Sequence, residues 1–349
     1  MRKVMFGNVM AIERALGTGI IISSSVTIPQ RVQKRIRAFI EEYESVLSRF
    51  REDSLVSRMA RAEHGGEFEF PAWAGPLFAL YSEFYAATRG AFDACIGADL
   101  LALGYNNSVQ FVPESAASAG KNENSSSYSW SNYRRALPVT WSDISQDSGS
   151  ATLCTNQPVQ LDFGAAGKGY FVDLVTQIIK EELSEELPAD LDFLVNAGGD
   201  MRACFSKENS QIKVALENPF DTAQAVGVAS IASGALCASS NARRRWKVKE
   251  ASCLGKDASG FESNLIATHL INALDGIPAC DLCASWAYVP RKTCDFPTAY
   301  ADALATALFV SQENDLQKIV QNVGAEFAVM QPNHALRKTC AFPARFFAE

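Results

Sequence analysis

Two spacings of apolar residues organise the chain. Val32, Ile36, Phe39, Ile40, Tyr43 and Leu47 recur every three or four positions, which puts them on one face of a helix predicted over residues 29–49. The same spacing in Leu77, Leu80, Tyr81 and Phe84 predicts a helix from about Trp73 to Thr88, stopped by Gly90. A third helix is expected from Phe171, Leu174, Val175, Ile178, Ile179 and Leu183, ending near Glu186 ahead of Pro188. Two more close the chain, over residues 300–310 and 314–323. The polar stretch FREDSLVSRM reads as a loop leading into a short helix.

Strand-like runs fill the intervals. Residues 16–26 are β-prone and open with the turn-like Gly17-Thr18-Gly19; shorter runs stand at 136–141, 159–163 and 193–195, and several more fit between 212 and 289. Residues 115–130 are small and polar, with little to bury, and read as a surface insertion. Strands and helices mix without regular β-α alternation, so the expected class is α+β rather than a doubly wound sheet. No repeat occurs at a fixed period.

Composition narrows the function classes. A chain of 349 residues, 48% apolar and 20% charged, can bury a full core in one large domain or two closely merged ones. Its net charge of -7 argues against nucleic acid as a partner, and the run Arg243 to Arg245 is too short to reverse that. The apolar stretch after Arg2-Lys3 is broken by Asn8, Glu13 and Arg14, and no run is long enough to span a membrane. A cytoplasmic location is expected by absence of a signal peptide, and a periplasmic or membrane-anchored one if a leader was removed. Nine scattered cysteines read as reduced thiols. Cys280-x-x-Cys283 lacks the second pair of a zinc site, which favours a structural role.

Four segments can carry chemistry. In LDFGAAGKGYFVD (161–173) glycines and a lysine stand where a buried strand hands over to a helix, a place where free N–H groups favour an anion. The stretch is neither a Rossmann fingerprint nor a Walker A loop. On the helix of residues 300–310, Asp302 and Thr306 project from one face, a pair suited to a hard cation that completes its shell with phosphate and water. The same pair can be an acid favouring the helix dipole and a threonine bonding back to a carbonyl. His269, in an otherwise apolar run, can be a general base or a structural side chain. Asp93, and the Gly198-Gly199-Asp200 turn, can equally be a helix cap and a tight connection.

The order of these fragments is more specific than any one. Leu16-Gly17-Thr18, Asp53-Ser54-Leu55-Val56-Ser57-Arg58, Gly90-Ala91-Phe92-Asp93, Leu161-Asp162-Phe163-Gly164 through Lys168-Gly169-Tyr170, Asn196-Ala197-Gly198-Gly199-Asp200, His269-Leu270-Ile271-Asn272 and Ala301-Asp302 through Leu308 follow one another. The succession resembles the ApbE family of FAD:protein FMN transferases, over roughly residues 14–330. The resemblance implies an ApbE-like, T-fold-like arrangement of mixed sheet layers with packed helices. It sets residues 1–14 apart as an N-terminal segment and 331–349 as a C-terminal tail.

It also implies an enzyme that binds FAD and Mg²⁺, splits the diphosphate, transfers FMN to a threonine or serine of an acceptor flavoprotein and releases AMP. Asp302, Thr306 and the Gly167 carbonyl match the family's metal site, and His269 its proton acceptor. Lys168 is expected to neutralise phosphate, with Gly164, Gly169, Gly198 and Gly199 allowing close approach of the cofactor. Leu16, Thr18, Asp93, Asp162 and Asp200 are expected to line or brace the flavin pocket. Asn272 stands where the family usually has an aspartate, which bears on the orientation of His269 and on the charge near the metal. Two other readings are an Mg²⁺-dependent FAD pyrophosphatase, with water as the nucleophile, and an FAD-binding protein without turnover.

Overall fold

The computed structural model describes residues 2–4, 6–111, 130, 139–147, 150–183, 191–248, 265–291 and 293–347. The expected insertion at 115–130 therefore lies, except for Trp130, outside the described residues. Among the described residues seven α-helices run in chain order: α1 (Gln30–Leu47), α2 (Leu55–Ala60), α3 (Gly75–Ala87), α4 (Gly97–Ala102), α5 (Gly167–Glu182), α6 (Pro297–Val310) and α7 (Glu313–Val323). Of the apolar positions that predicted α1, Val32, Ile36, Ile40, Tyr43 and Leu47 are buried and Phe39 is half-buried; Val46 is buried with them. None of the described helices is long and apolar enough to cross a membrane.

An eight-stranded sheet forms the centre. Its strands lie in the order Leu336–Lys338, Glu326–Met330, Ala284–Pro290, Gly234–Ser240, Asp200–Cys204, Phe193–Ala197, Thr18–Ser24 and Asn8–Ala15. Their described pairings are antiparallel, which suits α+β rather than a doubly wound architecture. On one face the apolar sides of α1, α3, α5 and α6 close the main core, with Ile20, Ile22, Val32, Phe171 and Leu304 among its buried residues. On the other, a four-stranded sheet of Arg2–Lys3, Ser210–Asn218, Asp221–Ile231 and Ala344–Phe346 covers Leu236, Trp286 and Ala328. A third, small cluster joins Leu100, Leu103, Tyr105, Trp246 and Ile271. The described cysteines are all free thiols.

Residues 8–15 pair as an edge strand that leaves Glu13 and Arg14 exposed. Two local expectations are corrected. Residues 159–163, expected as a strand, are an extended connection without a ladder, held by single bonds such as Asp162 N–H to the Ala94 carbonyl (2.7 Å). In the 136–141 run, 136–138 lie outside the described residues and Trp141 opens a 3₁₀ turn, Trp141–Asp143. The tail beyond residue 330 supplies a strand to each sheet, at Leu336–Lys338 and Ala344–Phe346.

The turn-like start of the second strand is a two-residue hairpin loop. Leu16 and Gly17 both have positive φ, 54° and 71°, between the paired Ala15 and Thr18, the twist that joins antiparallel strands tightly. The Leu16 N–H donates to Glu44 Oε1 at 2.7 Å, which ties this tip to α1.

The start of α6 is fixed by a residue from another helix. Asp173 of α5 accepts the Thr298 hydroxyl at 2.6 Å and the N–H groups of Thr298 and Ala299 at 2.8 and 2.9 Å. These are donors that an open helix end leaves unsatisfied. The substitution Asp173→Ala strands all three in the core, and we expect it to lower stability by about 2 kcal/mol, read from the urea midpoint.

Candidate active site

A cleft of about 710 Å³ opens where the sheet, α4, α5, α6 and the His269 segment meet. That is enough to enclose most of a large organic ligand. Leu16, Thr18, Asp93, Asp162, Gly164, Lys168, Gly198, Gly199, Asp200, His269, Asp302 and Thr306 all line it. Gly167, expected as a metal ligand, is not among the lining residues; its carbonyl accepts the Tyr43 hydroxyl at 2.7 Å.

The polar floor is built on the contact between α5 and α6. Asp302 is 2% exposed, and its Oδ2 accepts the Gly169 N–H at 2.9 Å. Lys168 Nζ lies 2.8 Å from Asp200 Oδ2 and 3.6 Å from Asp302 Oδ2. Lys168 is thus held between two carboxylates. Burial draws its pKa down, but the attraction of Asp200 and Asp302 outweighs it and holds the ammonium charged. Burial and the neighbouring Asp200 carboxylate push the Asp302 carboxyl up to about 7, against the pull of Lys168 and the Gly169 N–H.

Asp302 sits in the second turn of α6, beyond the helix end capped by Asp173, and Thr306 Oγ1 pairs with Ser239 Oγ at 3.1 Å rather than with its own helix. Asp302 Oδ1 accepts no hydrogen bond among the described residues. A buried carboxyl with a raised pKa, a spare oxygen and a hydroxyl one turn on form a donor set that fits a hard divalent cation. Among the described residues no cluster of three or more His, Cys, Asp or Glu could hold a metal by itself. Such an ion would need oxygens from its substrate and water, as Mg²⁺ usually does.

His269 stands across the cleft. Burial, then the charges of Arg244 and Lys168, push its pKa down to about 3, with the Arg244 main-chain carbonyl a small opposing influence. Its Nδ1 is buried and has no hydrogen-bond partner among the described residues. The imidazole is therefore neutral at physiological pH, the form a base requires. Asn272 does not orient it: its Oδ1 accepts the Leu274 N–H at 2.9 Å, closing a turn.

The glycines and acids shape the walls. Gly198 has φ of 66°, and a β-carbon there would press on the Thr18 side chain. Asp93 accepts the N–H groups of Cys95 (2.7 Å) and Trp141 (3.2 Å), so its capping role holds while its residue faces the cleft. Asp162 accepts the Gly164 N–H at 2.6 Å and pairs with Arg49 Nε at 2.5 Å. Arg49, which the sequence reading missed, lies over the rings of Phe50 and Tyr105 at 4.2 and 4.9 Å. Tyr105 in turn stacks on Trp246. Asp162, the partner of Arg49, is 113 positions away, so no local pattern pointed to the pair. The cleft thus joins an aromatic wall to a polar floor with a neutral base and a cation-fitting acid, an arrangement for a ligand with a flat ring and a phosphate.

A family model described as the ApbE family matches residues 16–330. The chain belongs to the ApbE family. No curated protein is significantly similar to it. Solved ApbE structures share its fold. The ApbE protein of Thermotoga maritima superposes with a TM-score of 0.69 at 20% identity, covering 96% of this chain and 98% of the other. The flavinyl transferase ApbE of Pseudomonas stutzeri, in its apo form, gives 0.63 at 22% identity, over 97% and 98%. The flavin transferase ApbE of Vibrio cholerae gives 0.64 at 16%, over 95% and 96%. The ApbE fold is a single mixed α+β domain, and in this chain its cleft lies between the main sheet and the α5–α6 pair.

Proposed function

We propose that this protein is an Mg²⁺-dependent FAD:protein FMN transferase, which cleaves FAD and joins FMN through a phosphoester bond to a threonine or serine of an acceptor flavoprotein. The observation that carries the reading is the convergence in one cleft of a neutral His269 with the buried Asp302 and the half-buried Thr306. Membership of the ApbE family and the flavin transferases among the structural neighbours support it.

The residues divide the task. His269 takes the proton of the acceptor hydroxyl as its oxygen attacks the FMN phosphorus; the bridging P–O bond breaks and AMP leaves. Asp302 and Thr306 would hold Mg²⁺, which would supply positive charge to offset that developing on the phosphate oxygens. Lys168, pinned by Asp200 and Asp302, keeps the two carboxylates together before the ion arrives. Phe50 and Tyr105, which meet edge to face, line the cleft with apolar ring surface for a flat ligand group.

Incubating the full chain with FAD, Mg²⁺ and an acceptor flavoprotein domain is expected to add the mass of one FMN to the acceptor. Free FMN and AMP without that gain would identify a pyrophosphatase. Bound FAD with neither product would reduce the protein to a flavin binder.

A further inference from the structure

Among the described residues that line the cleft, Lys168, Arg243 and Arg244 are the cations. Two are already paired. Lys168 is held by Asp200 and Asp302, and Arg243 forms a two-pronged ion pair with Glu217, its Nε 2.8 Å from Oε1. Arg49, just behind the wall, is taken by Asp162. Arg244 is half-buried, and no hydrogen bond or ion pair engages its guanidinium among the described residues. A guanidinium that loses water without gaining an anion is costly unless a ligand supplies one.

Its place is fixed by strand pairing. Arg245–Lys247 runs antiparallel to Ile266–Thr268, with Arg245 opposite Thr268, so the next step along the ladder sets Arg244 beside His269. The depressed pKa of His269, to which Arg244 is the leading charge contribution after burial, agrees with that closeness. Arg243 and Arg245 flank it from paired or ladder positions, which leaves Arg244 to face the cleft.

We propose that Arg244 clamps the diphosphate of the dinucleotide, on the base side of the cleft and opposite the Asp302–Thr306 pair. A guanidinium presents a planar fork of donors that matches two phosphate oxygens at once. Arg244 then does what Lys168, committed to carboxylates, does not: it binds the anion directly. The inference rests on the transferase reading for its substrate, but its test separates the two.

Binding of FAD, ADP, inorganic pyrophosphate and riboflavin to the full chain is measured by calorimetry for wild type, Arg244→Gln and Arg244→Lys. For Arg244→Gln we expect the Kd of FAD, ADP and pyrophosphate to rise about 10- to 100-fold, the loss of charge-assisted hydrogen bonds to a phosphate. Riboflavin, which has no phosphate, should bind within about twofold of wild type, and Arg244→Lys should recover part of the loss. An unchanged urea midpoint excludes misfolding as the cause. Equal FAD binding by wild type and Arg244→Gln overturns the clamp while leaving the transferase reading intact. An equal loss for riboflavin also overturns it, since that assigns Arg244 to cleft shape rather than to phosphate. Arg244-dependent binding of ADP and pyrophosphate in a protein that transfers no FMN supports the clamp and removes the transferase reading.

Discussion

Replacing Gly169 by alanine is expected to lower stability by about 4 kcal/mol, at the upper end for overpacking, and to abolish cleft chemistry with it. Gly169 lies in the first turn of α5, where that helix crosses α6. A β-carbon there would stand 2.7 Å from the Asp302 β-carbon and closer still to the Thr298 carbonyl oxygen. Neither neighbour can turn away. The carbonyl belongs to the α6 backbone, and Asp302 is fixed through its bond to the Gly169 N–H. Relief requires the helices to part, which exposes core residues such as Phe171 and Leu304. The contrast is Gly199→Ala, where nothing lies within 4 Å of the added carbon and only the φ of 108° opposes it. Urea midpoints should separate the two variants. A Gly169→Ala protein as stable as wild type would mean that α5 and α6 do not meet this closely.

How much of this was legible in the sequence depends on how far apart the interacting residues are. The longer helices were legible because their apolar residues repeat within one turn, and α1 buries five of the six positions its spacing named, Phe39 being half-buried. Strand Asn8–Ala15 was not, since an edge strand turns polar residues outward and needs a partner to be recognised. Val159, Leu161 and Phe163 alternate like a strand, yet they bury one by one from an extended connection with no neighbouring ladder. The site divides in the same way. Asp302 and Thr306 share a helix face, a local fact. That Lys168 is tied to Asp200 and Asp302 is a tertiary fact, as is the pairing of Arg49 with Asp162, and no spacing foretells either. Arg244 was passed over within a basic run judged too short to matter. Only strand pairing and the removal of its neighbours' charges single it out.

Asp302→Asn should reduce FMN transfer about 1,000-fold while leaving the fold intact. The two effects have one cause. Asp302 is the buried acid proposed to meet the divalent ion, so its loss removes a charge that the ion and the phosphates require. The same acid is a burden on the metal-free protein: burial and Asp200 raise its pKa from 3.8 to about 7. The folded state therefore binds this proton more tightly than the unfolded state does. Its contribution favours folding at low pH and is lost as the pH climbs from about 4 to about 7. In EDTA, the stability of wild type relative to Asp302→Asn should fall across that window, since the variant has no proton to lose at this site. Magnesium reverses the order above pH 7, stabilising wild type and not the variant, because only an ionised carboxylate attracts the ion. Urea midpoints at pH 5 and pH 8, with and without magnesium, measure all four cases. His269 works the other way: its pKa falls from 6.5 to about 3 in the fold, so only the unfolded chain binds that proton and its contribution favours folding more as the pH climbs to about 6.5, equally in wild type and variant. If Asp302→Asn transfers FMN at the wild-type rate, the cation-fitting floor of the cleft is not where the phosphate bond breaks.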